Sequence, residues 1–491
     1  MLKNYIDGQW RASHSKTLLP VVNPAYPERL LAHTPCSLPE EVDSAVMAAQ
    51  RAFPLWRKVP APERCQYLFR LKQQMEAARE ELAGLITAEH GKTLAESRGS
   101  VLRAIQMLET ACGIPTLMMG SHFADIARGI DCSTVNRPLG VFVGICPFNF
   151  PAMVPFWFWP FAIACGNTFV LKPSERVPLT AMRFFELLAD IALPPGVMNL
   201  VHGGREVAEA LSTHPQVKGI SFVGSTPVAQ HLYQLGSKHG KRVQALGGAK
   251  NLMVVLPDAL QAASLKRTVA TLVESITGCS GQRCLAGSLA LCAGNPEHYG
   301  LLQREVVASA QTIVVGDGQD PRSTMGPMIS AEARERVLGL LDRAIAAGAR
   351  VLLDGRRTLA DRPGYYLAPT VLADITGSME IAQVEVFGPV ILLGKVANLN
   401  EAIEWINTLP FANTTTLFTN SGAAARQFVD EVDPSMIGIN IGVPAPLSFF
   451  SFGGSKQSFF GDIKAHGSDC IKFYTDPCTT IYRWHSDSSL W

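Results

Sequence analysis

From Leu139 onward, short apolar runs alternate with amphipathic stretches, and no other feature of this 491-residue chain constrains its fold as tightly. Strand-like runs fall at 140–145, 168–171, 197–201, 219–223 and 252–256, with helical patterns near 179–191, 206–212 and 227–236 between them. Strands that alternate with helices build a parallel sheet covered by helices, and ligands sit where its strands end. A second alternating region follows, with strands at 288–292, 351–353, 390–395, 414–419 and 437–441 and helices at 296–312 and 330–347. The fold class is therefore α/β, with two such regions, as expected when a chain exceeds what one hydrophobic core serves.

The N-terminal part reads as helical. Ser37-Leu38-Pro39-Glu40 resembles a capping box with proline in the first turn, and Val42, Val46, Ala49 and Phe53 follow at helical spacing. A second helix is predicted over 62–90, stopped by Gly91, and a third from Leu94 to Cys112 with Val101, Ile105, Leu108 and Cys112 on one stripe. Arg103 falls on the opposite face, because two residues advance about 200° around a helix; by helix geometry alone it is an ordinary solvated arginine.

Charge and cysteine usage exclude several function classes. Lys and Arg (43) nearly balance Asp and Glu (42) without long runs of one sign, which argues against nucleic acid or an anionic membrane as the main partner. The eleven cysteines are scattered, with neither the density of a disulfide scaffold nor paired CxxC knuckles. The first residues lack the apolar core of a signal peptide, and the longest apolar run, 150–165, is broken by Pro151, Pro155 and Pro160. A cytoplasmic location is expected.

Two short stretches carry chemistry. Gly281-Gln282-Arg283-Cys284 places a cysteine among small residues and beside a cation, where a thiolate can be stabilised and reached. A buried structural thiol is the alternative, and it is the commoner fate of a free cysteine. Gly224-Ser225-Thr226 follows a strand and precedes a helix, so its amides can receive a phosphate, although small polar residues also cap helices for structural reasons. The tail, 470–482, alternates like a strand that completes a sheet in a neighbouring subunit.

Six separated motifs coincide in order: Pro147-Phe148-Asn149-Phe150-Pro151, Lys172-Pro173-Ser174-Glu175, Phe222-Val223-Gly224-Ser225-Thr226, Gly281-Gln282-Arg283-Cys284, Glu385-Val386-Phe387-Gly388-Pro389 and Phe452-Gly453-Gly454-Ser455-Lys456. Together they resemble the NAD(P)-dependent aldehyde dehydrogenase superfamily over nearly the whole chain. The resemblance implies a Rossmann-type cofactor domain (1–118 and 138–247), an α/β catalytic domain (248–442) and a small oligomerisation element (119–137 and 465–491) of a homodimer or homotetramer. It implies Cys284 as nucleophile and Asn149, with the Cys284 backbone N–H, as oxyanion donors. Lys172 and Glu175 are expected at the adenosine ribose, where a carboxylate favours NAD by repelling a 2′-phosphate. Gly224 and Ser225 are expected near the pyrophosphate, Glu385 near the nicotinamide ribose, and Phe148 and Phe387 against the cofactor. No metal is called for.

Two departures refine this expectation. Most hydrolytic members carry a glutamate in Glu-Leu-Gly-Gly that activates water, whereas this chain reads Gln244-Ala245-Leu246-Gly247-Gly248-Ala249-Lys250-Asn251. General-base help is worth about 10²–10⁴-fold, so water should attack an acyl-cysteine slowly here, while a thiol such as coenzyme A needs less help. With Val443-Pro444-Ala445-Pro446-Leu447, this pattern resembles the CoA-acylating methylmalonate-semialdehyde dehydrogenase branch, whose two substrate-carboxylate arginines match Arg283 and Arg103. The implied reaction oxidises malonate or methylmalonate semialdehyde with NAD, loses CO2 and delivers acetyl- or propionyl-CoA. The alternatives are a hydrolytic enzyme using Glu274 or Glu385 as base, and an inactive structural paralogue. The second departure, an extended stretch between Asp258 and Cys284, leaves room for another aldehyde as substrate.

Overall fold

The computed structural model describes residues 1–484. Its first sheet has eight strands in the spatial order Gln9–Ala12, Lys3–Ile6, Met198–Leu200, Thr168–Lys172, Val141–Ile145, Val217–Val223, Arg242–Leu246 and Phe459–Phe460. The five from Met198–Leu200 to Arg242–Leu246 are mutually parallel. Numbered along the chain, these five lie in the order 3-2-1-4-5, the doubly wound arrangement in which the strand order reverses between the first and the fourth. Val141–Ile145 and Thr168–Lys172 are buried at every position, as strands covered on both faces must be.

The second sheet has seven strands in the order Arg350–Leu353, Thr370–Ala373, Val390–Val396, Leu289–Ala293, Leu252–Val255, Thr414–Phe418 and Met436–Ile439. All pairs are parallel except the first. Leu289–Ala293, the strand that follows Cys284, sits at its centre, with Leu252–Val255 beside it.

Four helices build the N-terminal face: α1 (Pro39–Trp56), α2 (Ala61–Ala77), α3 (Arg79–His90) and α4 (Leu94–Cys112). The single helix expected over 62–90 is thus two, broken at Ala78 (φ −91°, ψ 13°). No glycine or proline marks that break; α2 buries Cys65, Leu68, Leu71 and Met75 while α3 turns Leu82, Ala83 and Ile86 inward. Gly91 does end α3, in the left-handed conformation (φ 93°). α1 begins one residue later than the expected cap: Glu41 Oε2 accepts from the Leu38 N–H at 2.9 Å, and Ser37 instead bonds Asn4.

The C-terminal expectation needs correcting. Residues Gly467–Tyr474 form a helix that buries Cys470, Ile471, Phe473 and Tyr474, and only Thr475–Arg483 is a strand. That strand pairs antiparallel with Ile130–Pro138 of its own chain, in a three-stranded sheet whose outer strand is Ser121–Ala127. The last seven residues of the expected oligomerisation element lie outside the described residues. No helix among the described residues is long and apolar enough to cross a membrane.

Candidate active site

Where the first sheet reverses its strand order, a cleft of about 860 Å³ opens at the strand ends. Phe148 and Asn149 reach it from the end of Val141–Ile145, and Gly224 and Ser225 from the end of Val217–Val223. Ser225 is the N-cap of the Thr226–Lys238 helix, but its hydroxyl makes no capping bond, so the helix start presents its amides and dipole to the cleft. Lys172 and Glu175 line one region, with Lys172 Nζ donating to the carbonyls of Pro173 (2.8 Å) and Gly203 (2.6 Å) and lying 3.5 Å from Glu175 Oε2. Cys284, Glu385 and Phe387 line the same cleft from the second sheet's side.

The segment leading to Cys284 is held under strain. Cys279 (φ 52°), Ser280 (φ 55°) and Gly281 (φ 72°) are three consecutive left-handed residues. Each of the two non-glycines costs on the order of 1–3 kcal/mol unless its surroundings impose the conformation. They do: the Cys279 N–H donates to Glu96 Oε1 (2.5 Å), and the Ser280 hydroxyl donates to the Gly326 carbonyl (2.6 Å). At Gly281 any side chain is excluded, because a Cβ would lie 2.1 Å from the Gly388 oxygen. Beyond this bend the Cys284 carbonyl accepts from Asn251 Nδ2 (2.9 Å) and Asn413 Nδ2 (3.1 Å). Asn149 Nδ2 donates to the carbonyl of Gln282 at 3.0 Å, which places this amide two residues before the thiol.

The proton inventory differs from the expectation that Arg283 stabilises the thiolate. Burial and then the Glu385 carboxylate push the Cys284 thiol up to about 12; the Cys284 and Leu285 backbone N–H groups and Arg283 pull only weakly the other way. Arg283 has turned away: its Nη2 donates to the carbonyls of Glu274 (2.5 Å) and Ser275 (2.9 Å) near the C-terminal end of the Ala262–Thr277 helix. Its Nε is buried and has no hydrogen-bond partner among the described residues. Glu385 is itself pushed up to about 7 by burial, with Oε1 accepting from the Ala249 N–H at 3.1 Å. Its Oε2 lies so near Gly248 that a Cβ there would sit 2.6 Å away. Lys250, on the same segment, is brought down to about 7 by burial and donates to the Ile381 carbonyl at 2.7 Å.

At the position of the absent water-activating glutamate, Gln244 is buried and donates to Ser221 Oγ (2.8 Å), and Ala245 is buried in its strand. Neither lines the cleft. Of the cleft's carboxylates, Glu209 is tied to Arg205 (2.7 Å) and His231 (2.9 Å), and Glu175 lies by Lys172. Glu274, the alternative base, is exposed on the Ala262–Thr277 helix.

The structure therefore brings Cys284, Asn149, Phe148, Lys172, Glu175, Gly224, Ser225, Glu385 and Phe387 around one cleft. Arg103 and Arg283 are not among its lining residues. Arg103 is half-buried on α4 and donates to Gln106 Oε1 (3.2 Å), one turn from where the Gln106 carbonyl receives the Ser448 hydroxyl (3.3 Å). Sequence reading missed Asn251 and Asn413, which hold the Cys284 carbonyl, and also Lys92 and Glu96. Thr93-Leu94-Ala95-Glu96 spells a capping box and announces Glu96, but no sequence signal marks a lysine as buried.

A doubly wound sheet with a nucleotide-sized cleft at its switch point, bordered by a half-buried thiol and a side-chain amide donor, is the arrangement of a dinucleotide-binding enzyme. The chain belongs to the aldehyde dehydrogenase family, whose profile matches residues 10–480. It is 44% identical over 484 residues to malonate-semialdehyde dehydrogenase 1 of Oceanobacillus iheyensis, covering 98% of each chain. It is 45% identical to malonate-semialdehyde dehydrogenase 2 of Geobacillus kaustophilus, covering 98% of this chain and 99% of that one. Among solved structures, methylmalonate-semialdehyde dehydrogenase from Oceanimonas doudoroffii superposes with a TM-score of 0.96 at 39% identity and 99% coverage of both chains. A structure from Sinorhizobium meliloti, assigned as a methylmalonate-semialdehyde dehydrogenase and complexed with NAD, gives 0.96 at 35% identity, covering 99% of this chain and 98% of that one.

Proposed function

We propose that the protein oxidises malonate or methylmalonate semialdehyde with NAD, releases the β-carboxylate as CO2, and transfers the remaining acyl group to coenzyme A. The names of its relatives support the substrate class. The observation that carries the CoA step is the pair Gln244 and Ala245, buried and engaged elsewhere where hydrolytic members place their base.

The cleft's residues fit a dinucleotide. Ser225 and the helix start it caps suit the pyrophosphate, Lys172 and Glu175 suit the adenosine ribose hydroxyls, and the carboxylate disfavours a 2′-phosphate. NAD, when bound, supplies the hydride acceptor. Cys284 must lose its proton before it attacks the aldehyde carbon, and Glu385, which lines the same cleft, is proposed to receive it. The Asn149 amide and the Cys284 N–H hold the oxyanion; losing such a donor costs about 3–4 kcal/mol of activation free energy. Collapse of the thiohemiacetal expels hydride and leaves an acyl-cysteine. The β-carboxyl thioester then loses CO2, because its carbonyl delocalises the developing carbanion; that carbanion takes up a proton from solvent, and the CoA thiol displaces Cys284 from the acyl carbon. Arg103 and Arg283 are proposed to grip the substrate carboxylate, for which Arg283 must turn from the Glu274 and Ser275 carbonyls that now hold it.

The sheets support a unit of 1–118 and 138–247 for the cofactor, one of 248–442 for the nucleophile, and an arm of 119–137 and 465–491 for assembly into a homodimer or homotetramer. On that arm Phe123 and Ile126 are exposed. A cytoplasmic setting suits the eleven free cysteines.

Hydrolysis to the free acid is the second reading, favoured by the raised Glu385 and its Oε2 over Gly248. NADH formation from malonate semialdehyde with and without CoA separates the two. CoA-dependent turnover with a thioester product supports the proposal; a CoA-independent rate with free-acid product contradicts it.

A further inference from the structure

Lys92, on the Gly91 turn between α3 and α4, contacts the backbone of Asn149, and Glu96, in the first turn of α4, contacts the bend that precedes Cys284. Lys92 is fully buried. Its Nζ donates to the backbone carbonyl of Asn149 at 2.6 Å and sits 3.9 Å from the centroid of the Phe150 ring. The Cys279 thiol, Glu96 and Arg283 bear on the same ammonium electrostatically. Glu96 divides its carboxylate. Oε2 caps α4 by accepting from the Thr93 N–H (2.9 Å) and hydroxyl (3.0 Å), and Oε1 accepts from the Cys279 N–H, the first residue of the left-handed bend. The turn cannot slide, because a Cβ on Gly318 would lie 2.2 Å from the Lys92 oxygen and one on Gly326 would lie 1.9 Å from the Gly91 oxygen.

We propose that Lys92 and Glu96 are positioning residues: Lys92 fixes the backbone that aims the Asn149 amide, and Glu96 fixes the bend that delivers Cys284, so one turn sets the distance between oxyanion donor and nucleophile. Neither touches the reacting atoms. A solvated lysine would be a poor fastener, but a desolvated ammonium with a carbonyl, a ring face and a thiol around it has few other places to go. The strained bend gives Glu96 its leverage: without an acceptor for the Cys279 N–H, Cys279 and Ser280 have reason to relax toward negative φ. The proposal rests on the family's cysteine chemistry alone and needs neither CoA nor a carboxylate-bearing substrate.

The test uses the full-length protein with NAD and propanal, without CoA, and reads the single-turnover burst of NADH. Alkylation of Cys284 by iodoacetamide, located by peptide mass, is the companion readout, because that reaction builds no oxyanion. Lys92→Met should slow the burst about 10- to 100-fold, as expected for misplacing a donor by a fraction of an ångström to about 1 Å, while leaving alkylation near wild type. Added to Asn149→Ala, the same substitution should slow the burst by no more than about twofold, since residues acting through one another are not additive. Glu96→Ala should slow both burst and alkylation, and Glu96→Gln, which keeps an acceptor oxygen for Cys279, should recover most of both. At half-buried Glu96 these two variants carry the test even where Lys92→Met does not fold. The proposal is overturned by a wild-type burst in Lys92→Met, by an undiminished effect of it in the Asn149→Ala background, or by equal losses in Glu96→Ala and Glu96→Gln. Failure of the CoA reading changes none of these outcomes.

Discussion

Glu385 and Cys284 line the same cleft, and the carboxylate's charge, after burial, raises the thiol's pKa. Glu385→Gln removes that charge, so the pH profile for alkylation of Cys284 is expected to move to lower pH; an unmoved profile would show that burial alone holds the thiol up. The same substitution has a stability consequence of definite sign. Burial raises Glu385 from 4.5 to about 7, so the folded protein keeps a proton there that the unfolded chain releases. Its contribution is fully present below the ordinary carboxylate range and declines as pH rises through about 7. In Glu385→Gln the fall in thermal midpoint between pH 5 and pH 8 should be shallower than in the wild type, as scanning calorimetry will read. Arg103 and Arg283 separate differently. Arg103→Leu should raise KM for acidic aldehydes about 10- to 100-fold and spare uncharged ones, matching the loss of a charged hydrogen-bonded contact. Arg283→Leu should damage both classes, and acidic ones more, because it also strips the Glu274 and Ser275 carbonyls of their donor. Equal losses on both classes from Arg103→Leu would remove it from the clamp.

Among the elements, the bend before Cys284 is the one whose geometry has least tolerance. Gly281→Ala would force a Cβ against the Gly388 carbonyl at a positive φ, so it is expected to destabilise the fold by more than about 1 kcal/mol and to abolish the NADH burst. A soluble variant with normal burst would contradict the left-handed bend. Elements with strong periodicity were legible in advance: α4 was expected from Leu94 to Cys112 and spans those residues. The break at Ala78 was not legible, because α2 and α3 are separate only through the tertiary surfaces they bury, and neither glycine nor proline signals it. The Arg242–Leu246 strand was missed for a related reason: its charged first residue and Gln244 hide a pattern whose buried faces are set by Ser221 and Tyr474. The cleft residues were legible through motifs, but the direction of Arg283 was not. Which way a guanidinium turns depends on carbonyls contributed by a helix end, and sequence adjacency to Cys284 does not reveal that.

Across the whole molecule, two doubly wound sheets face one cleft, and a three-stranded arm, completed by the chain's own C-terminal strand, extends from them. The alternating pattern sufficed to expect both sheets. It did not show that Thr475–Arg483 returns to Ile130–Pro138, because pairing between segments more than three hundred residues apart leaves no local trace. Truncation after Tyr474 should expose the ladder of Ile130–Pro138, lower the thermal midpoint and change the mass seen by light scattering. Unchanged values for both would mean that the arm contributes neither to stability nor to assembly.

The most direct test of the proposed function is pre-steady-state NADH formation from malonate semialdehyde, with products identified by mass. Without CoA, one NADH per Cys284 should appear in a burst, followed by turnover slower by about 10²–10⁴-fold, because Gln244 and Ala245 give water no base. Adding CoA should restore steady turnover and yield acetyl-CoA and CO2. Rapid steady turnover without CoA, with a free acid as product, would contradict it.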